Sequence, residues 1–106
     1  MADRDPRLSG PTLKVLRLYL MTPREERSGA EISKSTGVGA GTLYPMLARL
    51  EEAGWFDSEW ENIDPKEAGR PRRRFYRLTG LGETRARAAL SEFQMPIVQR
   101  GEAWAS

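Results

Sequence analysis

Apolar residues first recur at helical spacing in Leu13, Leu16 and Leu20, a stripe widened by Val15, Leu18 and Tyr19. Ser9 and Pro11 open this helix, since Pro is tolerated in a first turn, and Pro23 stops it. Only Lys14 and Arg17 in it are plainly polar, so it needs apolar partners on two sides. Ser28-Gly29-Ala30-Glu31 has the spacing of a capping box and starts a short second helix, which Gly37 ends in a left-handed conformation. A third helix follows at once. Leu43, Met46, Leu47 and Leu50 fall at i, i+3, i+4 and i+7, and Gly54 closes it. Two short helices joined across Gly37-Val38-Gly39 read as a helix-turn-helix.

The period then changes from helical to alternating. Phe56, Ser58 and Trp60 share one face of a strand, with Asp57 and Glu59 on the other, which places Trp60 in the core or at an interface. Residues 61–71 form a polar loop rich in breakers. Arg72–Leu78 makes the return strand, with Tyr76 and Leu78 inward. Thr79 caps a fourth helix with Ala86, Ala89, Leu90 and Phe93 along its stripe, and Pro96 breaks it near the end. The expected fold is mainly α with a small β-hairpin. It is a winged helix-turn-helix over residues 1–79, with a short C-terminal dimerisation helix and tail over 80–106.

Composition narrows the function. The chain has 106 residues, 39% hydrophobic and 30% charged, which suits one globular domain. With no His and no Cys it cannot build Ser–His or Cys–His nucleophile pairs, thiolate metal sites or disulfides. This points to a binding protein rather than an enzyme, with no metal and no cofactor. The net charge is only +2. The pI near 9.3 overstates this surplus, because little titrates near neutrality. No apolar run is long enough to span a membrane, and the polar N-terminus carries no signal peptide, so a cytoplasmic location is expected.

The distribution of charge says more than its sum. Arg70, Arg72, Arg73, Arg74 and Arg77 put five positive charges into eight residues on the expected wing. Carboxylates at Asp57, Glu59, Glu61, Asp64 and Glu67 come just before them. Arg74 and Arg77 are expected to pair across the strands, leaving Arg70, Arg72 and Arg73 near the tip for DNA. On the third helix, Gly41, Pro45, Ala48 and Glu52 oppose the apolar stripe, and Tyr44 and Arg49 flank them. Small residues there allow close approach to a duplex, and Thr42 and Tyr44 can donate hydrogen bonds. Pro45 deletes a helix bond at an interior position, a cost of about 3 kcal/mol that suggests a functional reason. The candidate DNA-binding set is Lys34, Thr42, Tyr44, Pro45, Arg49, Arg70, Arg72 and Arg73.

Thr42-Leu43-Tyr44-Pro45-Met46-Leu47-Ala48-Arg49-Leu50-Glu51-Glu52-Ala53-Gly54-Trp55 resembles the PadR family of transcriptional regulators. So does Arg73-Arg74-Phe75-Tyr76-Arg77-Leu78-Thr79-Gly80-Leu81-Gly82 at the wing exit. The resemblance implies a dimeric winged-helix protein that binds double-stranded DNA, usually as a repressor, often released by a small-molecule effector. Where many relatives carry Ser-Pro before the helix's Gly-Thr, this chain has Gly39-Ala40. Its C-terminal region is short. The dimer seam is expected from Leu13, Leu16, Leu20, Leu90, Phe93, Ile97, Val98 and Trp104. The competing reading is a winged-helix module that binds protein instead of DNA.

Overall fold

The computed structural model describes Pro6 and residues 8–92. The expected Phe93, Ile97, Val98 and Trp104 of the dimer seam lie outside the described residues. Helix α1 (Gly10–Met21) is capped by Ser9, whose Oγ accepts from the Thr12 N–H, and the chain leaves the helix at Thr22. Strand β1 (Arg27–Ser28) follows, then α2 (Gly29–Thr36) and α3 (Ala40–Glu52). The capping box forms in both directions. Ser28 Oγ accepts from Glu31 N at 3.2 Å, and Ser28 N donates to Glu31 Oε1 at 2.7 Å. Gly37 takes φ +79° and donates to the Ser33 carbonyl at 2.8 Å. The turn is closed by Ser33 Oγ, which donates to the carbonyl of buried Val38 at 2.6 Å.

Beyond α3 come β2 (Phe56–Trp60), a single-turn α4 (Pro65–Ala68), β3 (Arg74–Leu78) and α5 (Gly80–Glu92). The three strands form one antiparallel sheet in the order β1-β3-β2, with Ser58 opposite Tyr76 and Trp60 opposite Arg74. The winged helix-turn-helix expected from the sequence is therefore present. It gains two elements: β1, whose Arg27 and Ser28 pair with Tyr76 and Phe75, and α4, which sits in the segment expected to be a plain loop. Asp64 caps α4 by accepting from Lys66 N at 3.0 Å, and Gly69 ends it at φ +71°.

One core serves the whole described chain. It runs from Leu13, Val15, Leu16, Tyr19 and Leu20 of α1 through Ile32, Leu43, Met46, Leu47 and Leu50 to Phe56, Tyr76, Ala86, Ala89 and Leu90. Tyr19 and Phe56 meet edge to face with ring centroids 4.8 Å apart. The Tyr19 hydroxyl donates to the Tyr76 carbonyl at 2.8 Å. Burial pushes the Tyr19 hydroxyl's pKa well up, so it stays a neutral donor.

This core corrects one expectation. Leu13, Leu16, Leu20 and Leu90 do not present a seam to a second subunit; all are buried within their own chain. The apolar breadth of α1 is satisfied internally, by α2 and α3 together with α5. Helix α5 is held at its start by Thr79. The Thr79 N–H donates to the Trp55 carbonyl at 2.9 Å, and its hydroxyl accepts from Gly82 N at 2.9 Å. A second expectation, which places Trp60 in the core or at an interface, loses only its core half. Trp60 shares its strand face with buried Phe56, yet it stands 54% exposed, because β2 runs past the end of the core into the wing. Among the described residues no helix is long and apolar enough to cross a membrane. Nor does any group of Asp or Glu among them have the arrangement to hold a metal ion.

Candidate nucleic-acid interface

The burial of α3 follows the phase its sequence dictates. Leu43, Met46, Leu47 and Leu50 are buried, whereas Gly41, Thr42, Tyr44, Pro45, Ala48 and Arg49 are exposed. The helix runs unbroken through Pro45. Gly39 occupies the N-cap and offers no side-chain acceptor, so no side-chain cap covers the first N–H groups of α3. Lys34 is exposed in the last turn of α2.

The wing treats its five arginines unequally. Arg70 is gripped by Glu61 through two parallel bonds of 2.8 Å, and the same carboxylate accepts from the Arg73 backbone N–H at 3.1 Å. These partners hold the Glu61 carboxyl down to about 2, the Arg70 side chain most of all, and Arg70 is raised in return. Arg74 donates to Ser58 Oγ at 2.9 Å and lies 3.5 Å from Glu51 Oε2. Ser58 in turn donates to Glu51 at 2.7 Å, so this cluster ties the C-terminal end of α3 to both wing strands. The Arg74 guanidinium also stacks 5.0 Å from the centre of the Trp60 ring, a cation–π contact. Arg77 pairs with Glu59 and Glu26, each at 2.9 Å, and both carboxylates raise it. That leaves Arg72 and Arg73. Among the described residues, Arg72 donates to the Ile63 carbonyl at 3.2 Å, and the Arg73 side chain makes no hydrogen bond or ion pair, although its charge also helps to lower the Glu61 carboxyl.

Between α3 and the wing lies a groove of about 370 Å³. Its floor and walls are Ser28, Gly29 and Ala30 at the start of α2, Tyr44 of α3, Trp60 and Tyr76 of the sheet, and Arg72, Arg73 and Arg74. Of the candidate residues, the structure brings Tyr44, Arg72 and Arg73 to this one groove. Lys34, Thr42, Pro45 and Arg49 are exposed along the helices outside it, and Arg70 is turned to Glu61. Sequence reasoning missed Gly29 and Trp60 as groove residues. The alternation of β2 assigned Trp60 a face but could not say what covers that face. Nothing local to Gly29 signals its place, which depends on a side chain from the next helix.

The comparisons with known proteins agree with this geometry. The family model for the PadR-like transcriptional regulators matches residues 18–88. A PadR family transcriptional regulator from Eggerthella lenta superposes with a TM-score of 0.63 at 29% identity, over 79% of this chain and 75% of that one. A PadR-like transcription factor from Bacteroides fragilis gives a TM-score of 0.64 at 27% identity, over 80% of this chain and 82% of that one. Overoxidized AbfR, solved bound to DNA, has the same fold, with a TM-score of 0.64 at 22% identity. That alignment covers 82% of this chain but only 58% of AbfR. No curated protein matches the chain. With two thirds of its length under one family model and that family's winged fold around α3, the chain belongs to the PadR-like family of transcriptional regulators.

Proposed function

We propose that this protein is a sequence-specific DNA-binding repressor that acts as a homodimer on a palindromic operator. The observation that carries the reading is the juxtaposition of Tyr44 on the exposed face of α3 with Arg72 and Arg73 across one groove. Helix α3 enters the major groove with Thr42, Tyr44 and Arg49 toward the base edges, while the open α3 N-terminus favours a backbone phosphate. Arg72 and Arg73 hold the flanking backbone, with Lys34 as a further phosphate contact. AbfR, which shares the fold, is solved on DNA, and this supports the same partner here. A two-fold dimer, assembled through residues 80–106, sets two copies of α3 about 34–36 Å apart, one helical turn of DNA. Bound there, the dimer blocks access of the transcription machinery. A small molecule that alters this spacing releases it.

The test is a mobility-shift assay on duplexes enriched from a random-sequence pool by the full-length chain, repeated across salt concentrations, with light scattering of the free protein. Palindromic enriched sites, a steep fall of affinity with salt and a dimeric mass are expected. A failure to enrich any duplex, or binding that ignores salt, would favour the protein-binding alternative.

A further inference from the structure

Gly29 is buried at the first position of α2, where alanine would be the better helix former. Its backbone is not left-handed, since the positive-φ glycines are Gly37, Gly54 and Gly69. The chain therefore has no conformational need for glycine there. The space its missing side chain leaves is filled by Tyr44. A Cβ on Gly29 would sit 2.6 Å from Tyr44 Cε1 and 2.7 Å from Cζ, and would overlap the hydroxyl. The Tyr44 ring is 46% exposed, so one side of it rests on α2 while the other stays open to the groove.

From this we propose that Gly29 is a positioning residue for DNA recognition, acting through Tyr44 by seating its ring against the start of α2. The inference rests on the DNA-binding reading above. The obstacle to a larger residue is the far end of a side chain that can swing into solvent. Gly82 provides the contrast: a Cβ there would run into the Trp55 backbone, which has nowhere to go. Gly29→Ala should therefore fold, with the ring displaced from its seat, whereas Gly82→Ala should damage folding itself.

The experiment is a double-mutant cycle of Gly29→Ala and Tyr44→Ala in the full-length chain. Binding is measured on a duplex enriched by the wild type, and thermal melting is followed alongside. Gly29→Ala should melt no lower than wild type yet bind about tenfold more weakly, the scale of removing a single base-specific interaction. In the Tyr44→Ala background the same change should alter binding by less than about twofold. In the free wild-type protein, a nuclear Overhauser effect should join the Gly29 α-protons to the Tyr44 ring.

Wild-type affinity in Gly29→Ala, an equal loss in both backgrounds, or no Overhauser effect between the two residues would overturn the proposal. So would an unfolded Gly29→Ala, because the ring must be the only obstacle. A wild type that enriches no duplex would show instead that the DNA reading has failed, and the proposal with it.

Discussion

On the outer face of α3 the side chains of Thr42, Tyr44 and Arg49 stand exposed, and Arg49 has no ion-pair partner among the described residues. On the wing, charge is dense but largely committed. Arg70, Arg74 and Arg77 each pair with a carboxylate, whereas Arg72 and Arg73 make no ion pair among the described residues. The outer face of the helix thus presents little charge and leaves it available, while the wing presents much and keeps most for itself. Ion pairs this exposed add little stability, but each one removes a cation from those a phosphate can use. A count of arginines therefore overstates the positive surface a duplex would meet.

The largest expected effect separates the two faces of α3. Leu47 is fully buried, so Leu47→Ala should destabilise the fold by about 2–5 kcal/mol in a denaturant titration. Tyr44→Ala, at the exposed flank of the buried stripe, should leave that titration almost unchanged and instead weaken DNA binding by about 1–3 kcal/mol. If Tyr44→Ala unfolds the chain, its ring is a structural support and the open face of α3 begins beyond it.

A second effect sharpens the contrast within the wing. Replacing Arg72 and Arg73 together by Ala should lower the slope of log affinity against log salt by up to about two units, nearly one for each phosphate no longer neutralised. Arg70→Ala should change that slope by less than about half a unit, since Glu61 already holds its charge. Equal slope changes for the two variants would mean that Glu61 yields Arg70 to DNA, and that the wing commits less charge than its ion pairs imply.

The reach of sequence reasoning follows the same divide. Helices α1 to α3 are legible because capping boxes, glycine stops and 3.6-residue periodicity are local signals, and Ser28, Gly37 and the Leu43–Leu50 stripe behave as those signals require. Strand β1 is not legible, since two residues carry no alternation and Arg27 finds its place only by pairing with Tyr76. Asp64, Pro65 and Gly69 cap both ends of α4, but in so short a segment start and stop signals look like the breakers of a loop. Periodicity gives α1 two apolar sides, yet it cannot tell whether the second partner belongs to the same chain; α5 does. In the site, the exposed residues of α3 follow from its phase. Which wing arginines stay uncommitted depends on where Glu51, Glu59 and Glu61 point, and spacing does not record that.

The smallest effect tests that commitment directly. The ordinary pKa of a glutamate carboxyl is 4.5, and Glu61 lies near 2, chiefly because Arg70 donates two bonds to it and the Arg73 N–H adds a third. A carboxyl whose folded value lies below its unfolded one stabilises the fold only where it is ionised. The contribution of Glu61 is thus fully present above about pH 4.5 and fades as the pH falls toward about 2. The stability difference between wild type and Glu61→Gln should shrink over that window, and a carbon-detected NMR titration should place the Glu61 midpoint near its lower end. In Arg70→Ala the midpoint should climb toward the ordinary value, stopping short of it because the Arg73 N–H remains. A wild-type midpoint at the ordinary value would mean that Arg70 is not held in solution. The wing would then offer three arginines to a phosphate backbone, and the contrast between a committed wing and an open helix would lose its clearest member.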